Sequence, residues 1–277
     1  MISFRKSLLI LFCSSLLFGQ QVSKTGTTAG QFLKLGVGSR AMALGGAFTA
    51  IANDASALYW NPSGLSRIKG SQILLDHYDW VLDVDLDYVG ATIYIPNIGT
   101  LGAALSFLHM GEMEITTTHS PEGTGEKFKA NSYMGQISFA RNLTDRFSFG
   151  LSTKIIQETI YNSSATGFAL DIGTLYDTQL PGLTMGMSIS NYGTKMRMSG
   201  RDLLIQTEID PSLESDPTNI NANFSTDKFD LPLIFRFGLA YTKSIQNIFN
   251  ATFSVDALHP NDNTESINLG TELNYKD

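Results

Sequence analysis

From Gly70 onward the chain alternates apolar and polar side chains in segment after segment. Successive side chains of a β-strand point to opposite faces, so each such segment has one apolar and one polar face. A soluble sandwich would bury the apolar face against a second sheet, whereas a barrel in lipid turns it outward around a hydrophilic interior. The pattern predicts an all-β fold, a transmembrane antiparallel β-barrel with a wet lumen. In a representative segment, Tyr133, Gly135, Ile137 and Phe139 alternate with Ser132, Met134, Gln136 and Ser138.

The first residues have the composition of a secretory signal peptide. Arg5 and Lys6 precede an apolar run, Ser7 to Phe18, that is too short to span a bilayer. We expect a signal peptide at residues 1–20, which places the mature protein outside the cytoplasm. Cys13 is the one cysteine and would leave with this peptide, so disulfides and thiol-based metal sites are excluded from the mature chain.

The charge balance excludes one class of partner. The sequence has 19 Lys and Arg against 26 Asp and Glu. Removal of Arg5 and Lys6 leaves 17 basic residues against 26 acidic ones, a net charge of about −9. Nucleic acid is therefore not expected as a partner. The mean hydropathy is near zero, as expected when a lipid-facing and a lumen-facing set of side chains average out.

Ten strands are predicted from the alternation and the turn residues between segments. They are Ser71 to Asp79, Leu82 to Ile95, Thr100 to Met110, Asn131 to Arg141, Arg146 to Gln157, Thr166 to Tyr176, Gly182 to Asn191, Leu231 to Thr242, Ile248 to Leu258 and Ser266 to Tyr275. Short turns alternate with mostly longer polar connections, an asymmetry typical of transmembrane barrels. The predicted polar loops are Gly111 to Ala130, Glu158 to Ala165, Tyr192 to Asp230 and His259 to Glu265.

The end of the sequence suggests that the barrel, residues 70–277, lacks carboxy-terminal strands. Outer-membrane barrels usually finish on a strand with a terminal aromatic residue, whereas this chain stops at Lys276 and Asp277. A small barrel closed by ten strands is the alternative.

Three segments carry a family resemblance. The first runs from Ala29 to Ala50 (AGQFLKLGVGSRAMALGGAFTA), the second from Asn53 to Leu65 (NDASALYWNPSGL), and the third from Asp256 to Asn263 (DALHPNDN). They resemble the PorV/PorQ family of type IX secretion outer-membrane proteins, within the FadL-like superfamily. The motif residues are Asn53, Asp54, Asn61, Pro62, Ser63 and Gly64 near the amino terminus, and His259, Pro260, Asn261, Asp262 and Asn263 in the later loop.

The resemblance implies a 14-stranded barrel with an amino-terminal plug at residues 21–69, of which about ten strands are present here. It implies a protein of the Gram-negative outer membrane that serves protein secretion and surface attachment, with outer-membrane lipid, secretion cargo and other secretion components as partners. The alternative is a FadL-like transporter of long-chain fatty acids or other hydrophobic small molecules. Family members carry Asn-Pro-Ala where this chain has Asn61, Pro62 and Ser63.

Five charged residues are expected to point inward: Lys154, Asp171, Arg236, Asp256 and Glu272. Charges in an enclosed lumen must be paired or hydrated, so they are expected to pair with each other and the plug. A gating role is the alternative.

Catalytic and metal sites are not expected. The sequence has no Gly-x-Ser-x-Gly motif, so no enzyme and no cofactor are predicted. The alternating Asp83, Asp85 and Asp87 suit either a solvated acidic rim, which we favour, or a hard cation such as calcium. The histidines, His77, His109, His119 and His259, show no spacing typical of a metal site.

Overall fold

The computed structural model describes residues 24–207, 220–245 and 248–275. The expected signal peptide, residues 1–20, and the final residues 276–277 lie outside them. The helices described are short: 3₁₀ helices at Gln31–Lys34, Pro62–Arg67 and Arg201–Leu203, and α-helices at Ser39–Ala43 and Ala57–Trp60. No helix in the described ranges has the length and apolar character needed to cross a membrane.

Strands make up most of the described chain. They are β1 (Ser71–Asp79), β2 (Val84–Ile95), β3 (Gly99–Met110), β4 (Met113–Glu114), β5 (Lys127–Phe128), β6 (Ala130–Asn142), β7 (Phe147–Ile160), β8 (Ser163–Asp177), β9 (Leu183–Gly193), β10 (Ser199–Gly200), β11 (Leu204–Thr207), β12 (Ile220–Asn223), β13 (Ile234–Ile245), β14 (Phe249–Pro260) and β15 (Ser266–Tyr275). The ten long strands confirm the ten predicted from sequence, to within a few residues at each end.

The ten long strands form one antiparallel sheet, in the order β1-β2-β3-β6-β7-β8-β9-β13-β14-β15. Each strand pairs with the next long strand along the chain, as in an up-and-down arrangement. The short strand β10 pairs with the start of β8, and β4–β5 and β11–β12 form small separate hairpins. All three lie within the long connections.

The outward face of the sheet is apolar and uncovered. In mid-strand, Ile137 is 67% exposed, and Leu269 of β15 is 70% exposed. The polar inward side chains Gln136, Ser138 and Lys154 are buried instead. This confirms the predicted polarity of the sheet, which is the reverse of a soluble protein and suits lipid outside. The exposed outward set includes Ile73, Leu75, Val89, Ile93, Leu101, Leu105, Tyr133, Ile137, Leu151, Ile155, Phe168, Leu170, Ile172, Met187, Ile189, Phe235, Leu239, Phe253, Val255, Ile267 and Leu269.

The interior of the sheet contains a hydrophobic core in addition to the predicted polar inward side chains. Phe48, Leu58 and Leu65, from the chain before β1, are fully buried against strand residues such as Met134 and Ile156. Strand alternation could not reveal this, because the apolar side chains that fill the interior come from outside the strands. Small inward residues on the strands leave the space that they occupy.

One predicted loop is also wrong. Residues 158–165 belong almost entirely to strands, because β7 continues to Ile160 and β8 begins at Ser163. A two-residue turn joins them, with Tyr161 in the left-handed conformation at φ 53°. The polar residues suggested a loop, but Ser163 and Ser164 pair both with β7 and with β10. These strands therefore extend beyond the apolar belt.

Lysine in place of Ile137 tests which medium the outward face meets. We expect Ile137→Lys to lower the free energy of unfolding in phospholipid vesicles by roughly 2–4 kcal/mol, because the ammonium group would lie near the bilayer midplane. Urea titration after vesicle folding measures it. Thr118→Lys, in an exposed connection, is the control and should have little effect. Equal effects of the two variants would contradict a lipid-facing Ile137.

Candidate functional site

The residues before β1, 24–68, which we call the N-terminal segment, connect the two ends of the sheet. The backbone N–H of Gly38 donates to the Asp76 carboxylate of β1 at 2.7 Å. Arg40 donates from Nε and Nη2 to the two oxygens of Glu272 in β15, at 2.7 and 2.8 Å. A bidentate arginine–carboxylate pair fixes orientation as well as distance. The segment therefore holds strands from opposite ends of the strand order.

Arg40 also organises the first motif. Its Nη1 donates to Asn53 Oδ1 at 2.6 Å and to Asp54 Oδ2 at 2.8 Å, and its guanidinium lies 5.1 Å from the ring centroid of Phe48. The other oxygen of Asp54 accepts from the backbone N–H and the hydroxyl of Ser56. Asn53 and Asp54 thus act as structural partners of one arginine.

Asn61 joins the N-terminal segment to the sheet, which forms the wall around it. It also joins two parts of the segment to each other. Its fully buried amide donates to the carbonyl of Thr49 at 2.8 Å and to that of Thr174 in β8 at 3.2 Å. Its Oδ1 accepts from the backbone N–H and the hydroxyl of Ser63, at 3.2 and 2.7 Å. The hydroxyl that distinguishes Ser63 from the alanine of the family motif is therefore satisfied locally. Pro62 follows Asn61 directly and starts the 3₁₀ helix.

Two paired glycines form the wall beneath this motif. Gly150 of β7 lies opposite Gly173 of β8. A Cβ at Gly150 would lie 2.3 Å from Ser63 N, and one at Gly173 would lie 2.1 Å from Asn61 Oδ1. Both approaches are far inside van der Waals contact, so only glycine permits them. Gly64, the last residue of the motif, packs in the same way against the carbonyl of Ala52.

Two of the inward charges pair with each other. Lys154 Nζ lies 2.7 Å from Asp171 Oδ2, and both side chains are almost fully buried. Asn191 connects them, because its side-chain oxygen accepts from Lys154 and its backbone N–H donates to Asp171, each at 2.8 Å. Asn191 has a left-handed backbone, φ 63°, beside a register shift between β8 and β9. All three members of this cluster belong to strands of the sheet.

The other inward charges contact the N-terminal segment. The guanidinium of Arg236 lies 5.6 Å from the ring centroid of Tyr59 and 5.5 Å from that of Trp60. Its Nη1 donates to Ser190 at 3.0 Å. Asp256 accepts from the backbone N–H groups of Phe48 and Thr49, at 3.0 and 2.8 Å. With Glu272 on Arg40, these wall charges bind the segment rather than one another.

The loop after β14 anchors the start of the segment. Asp262 is buried, forms an ion pair with Lys34 at 3.0 Å, and accepts from Thr28 and Gln31 at 2.9 Å. Burial acts to raise its pKa, but the hydrogen bonds from Gln31, Lys34 and Thr28 outweigh it and hold the pKa below the ordinary value.

The other residues of the loop motif shape the turn that follows β14. Asn261 bonds to the carbonyls of Leu231 and Leu233, and Asn263 accepts from the backbone of Thr264 at 2.8 Å. His259 is exposed and lies 3.0 Å from Glu265, while Pro260 ends β14 opposite Ile234.

A cavity of about 490 Å³ lies between the N-terminal segment and β13–β15. Apolar side chains of Met42, Trp60 and Leu258 share its lining with the cations Lys34 and Arg236. Its size is within the range of small-molecule sites, and its mixed lining suits an elongated apolar group that carries a polar or anionic end.

Sequence reasoning missed several residues that the structure brings together. Arg40 was not singled out, because the signal lies in its contacts with distant carboxylates. In the sequence, Gly150 and Gly173 look like ordinary strand glycines. Only the strand register shows that they lie opposite each other. The histidines looked scattered, yet His77 and His109 lie 2.8 and 3.8 Å from oxygens of the same residue, Asp87. Asp83 precedes β2 in a turn, so only Asp85 and Asp87 share the strand alternation.

Comparison with known proteins identifies one family model, described as type IX secretion system protein PorV, which matches residues 18–211. A UPF0164 protein of Treponema pallidum (strain Nichols) is 27% identical over 177 residues, which cover 59% of this chain and 44% of the relative. The chain therefore spans less than half the length of this curated relative.

Solved structures that the chain matches include two monoaromatic hydrocarbon channels and a FadL homologue. The CymD monoaromatic hydrocarbon channel has a TM-score of 0.46 at 11% identity, over 87% of this chain and 75% of that one. The deltaS2 mutant of the TodX monoaromatic hydrocarbon channel has 0.47 at 13%, over 87% and 76%. A Pseudomonas aeruginosa FadL homologue has 0.44 at 14%, over 85% and 74%. Similarity this distant assigns no substrate.

A methyl group at Gly173 tests how the N-terminal segment sits on the wall. We expect Gly173→Ala to cost about 1–3 kcal/mol of stability, because the new Cβ would overlap Asn61, and to make residues 24–68 more sensitive to protease. Gly135→Ala is the matched control, since its Cβ would meet Ile155 at an ordinary 3.4 Å on the outward face. Equal sensitivity of the two variants would contradict the close contact.

The Asp262 anchor predicts a pH dependence. Because its folded pKa lies below the unfolded value of about 3.9, its stabilising bonds are fully present above that pH and are lost as the pH falls through the folded pKa. Hydrogen exchange, corrected for intrinsic rates, should show residues 28–34 losing protection over that acidic range. In Asp262→Asn the protection should already be reduced at pH 7. Full protection in that variant would show that the carboxylate is not the anchor.

Proposed function

Because the chain belongs to the type IX secretion system protein PorV family, we propose that it is a non-enzymatic outer-membrane protein that serves type IX secretion. In this role it receives exported proteins at the outer membrane and passes them to the surface attachment machinery. Residues 1–20 direct export, residues 21–69 form a plug, and the strands that follow cross the outer membrane. Its partners are outer-membrane lipid, secretion cargo and other components of the system.

The outward apolar belt supports the membrane location. Side chains such as Ile137, Phe168 and Leu269 are large, apolar and exposed on neighbouring and distant strands alike. A continuous exposed surface of this kind costs free energy in water and gains it in hydrocarbon.

The observation that carries the secretion role is the filled interior. The core residues Phe48, Leu58 and Leu65 occupy the space inside the sheet, and Asp256 and Arg236 hold the segment that bears them. Among residues 24–207, 220–245 and 248–275, such packing obstructs a folded or extended cargo chain, which favours a protein that meets cargo at its surface. At one end of the strands, the connections 111–129 and 194–233 are the surfaces that cargo could meet. The predicted loop Tyr192 to Asp230 lies largely within the second connection. Residues 208–219 of this loop lie outside the described ranges.

A second candidate function rests on the cavity of about 490 Å³ beside Trp60 and Arg236. Its apolar walls and buried guanidinium suit a long-chain fatty acid or similar amphipathic molecule. Transport of such a molecule would require movement of the N-terminal segment, since the same Arg236 stacks on Tyr59 and Trp60.

Deletion of the gene in the bacterium that encodes the chain distinguishes the two functions. We expect cargo of the type IX system to accumulate in the periplasm and disappear from the cell surface, as measured by mass spectrometry of the two fractions. The wild-type gene should restore export. Replacement of the exposed residues 115–124 by a short Gly-Ser turn should fail to restore it at normal protein levels.

Replacement of Gln179 and Leu180 by glycine, in the exposed turn at the opposite end of the strands, is the control and should restore export. Normal surface cargo in the deletion strain, together with loss of saturable uptake of a labelled fatty acid, would overturn the secretion role in favour of the transporter.

A further inference from the structure

Strand register brings two histidines and three aspartates onto one patch of the outward face. Asp79 of β1 lies opposite Asp85 of β2, and Asp85 in turn lies opposite His109 of β3. One step along the same face, His77 lies opposite Asp87. Thirty or more residues separate the two histidines in sequence, so only the three-stranded register places them together. The patch begins where the apolar belt ends, because Leu75 precedes His77 on this face.

The contacts within this patch have the form of a metal centre with a supporting residue. Asp87 Oδ1 lies 2.8 Å from His77 Nδ1, which directs the other ring nitrogen, Nε2, to a position 3.0 Å from Asp79 Oδ1. Metal-binding histidines are commonly oriented in this way by a carboxylate on the second ring nitrogen. His109 Nε2 lies 3.3 Å from Asp85 Oδ2. The ligand atoms of His77, Asp79 and Asp85 therefore face a common space, and His109 lies beside Asp85 as the neighbouring fourth group.

The spacing fits a tetrahedral ion. Bonds of about 2.0–2.2 Å from zinc to nitrogen and oxygen place neighbouring ligand atoms roughly 3.3–3.5 Å apart. The ligand atoms of His77, Asp79 and Asp85 all lie within 4.8 Å of one another. The His77–Asp79 separation is 3.0 Å and the His109–Asp85 separation is 3.3 Å. His109 has to rotate to join this set, and its side chain and that of Asp85 are both partly exposed.

The charge pattern also favours a cation. Asp79 and Asp85 lie directly opposite each other across two strands, a like-charge arrangement that destabilises a sheet. A third carboxylate, Asp87, lies on the same face of β2. A divalent ion would remove this repulsion and join β1, which lies at one end of the strand order, to β2 and β3.

We propose that His77, Asp79, Asp85 and His109 bind a divalent transition-metal ion of the zinc class, with Asp87 as the positioning residue for His77. Imidazole and carboxylate ligands together suit zinc and its first-row neighbours, whereas calcium prefers six to eight oxygens. The site holds the tip of the β1–β2 hairpin, where the apolar Trp80, Val81 and Leu82 are exposed, in one position relative to β3. It is independent of the secretion role, since it uses none of the residues that hold the N-terminal segment.

Metal titration of the full-length protein in detergent, after chelator treatment, tests the site. We expect the wild type to bind one zinc ion per chain, as measured by competition with a chelating dye. The same chain loaded with cobalt(II) should show intense visible bands typical of tetrahedral coordination. Calcium should not compete at a similar concentration. His77→Ala and His109→Ala should each lose the cobalt bands and the tight binding, and Asp87→Asn should weaken binding by about 10- to 100-fold.

His259→Ala is the matched control, because His259 is an exposed histidine paired with a carboxylate on a different part of the same rim. It should retain binding and spectrum. Heat-modifiable migration on gels verifies that each variant is folded. Retention of stoichiometric zinc in His77→Ala, or equal loss in His259→Ala, would overturn the proposal. Equal competition by calcium would instead identify the patch as a simple acidic rim.

Discussion

The rest of the structure depends on the burial of the N-terminal segment against the inner face of a sheet whose outer face is apolar. Inward polar groups are costly unless they are paired or hydrated. Here much of the pairing comes from backbone groups of the segment, as at Asp256 with Phe48 and Thr49. The segment in turn buries Phe48 and Leu58 completely in the core that it shares with the sheet. Each part therefore supplies contacts that the other uses.

This arrangement assigns different tasks to the inward charges. Lys154 and Asp171 form an ion pair with each other inside the wall, so this pair does not require a charged partner from the segment. Glu272 instead depends on Arg40, which belongs to the segment. A displacement of the segment would break the Arg40–Glu272 pair, whereas Lys154 and Asp171 both belong to strands of the sheet.

The strands were predictable from sequence because their signal is local. Alternation with a period of two marks Ser71–Asp79 and Ser266–Tyr275 at the bounds that the structure shows. The site was less predictable because its contacts join distant positions. Arg40 and Glu272 are far apart in sequence, and Gly173 is informative only once Asn61 is known to lie against it. The loop predicted at residues 158–165 was wrong for a third reason. Strand ends that extend beyond the apolar belt are polar, and their sequence resembles that of a loop.

The central claim is that apolar side chains face lipid while polar ones face the buried segment. Single cysteines carrying spin labels test it most directly, since the mature chain is expected to be free of cysteine once Cys13 is removed. In vesicles, labels at Ile137 and Phe168 should collide readily with oxygen and poorly with a water-soluble nickel complex. Labels at Ser138 and Ser152 should be protected from both. High accessibility of Ile137 and Phe168 to the nickel complex would contradict the account.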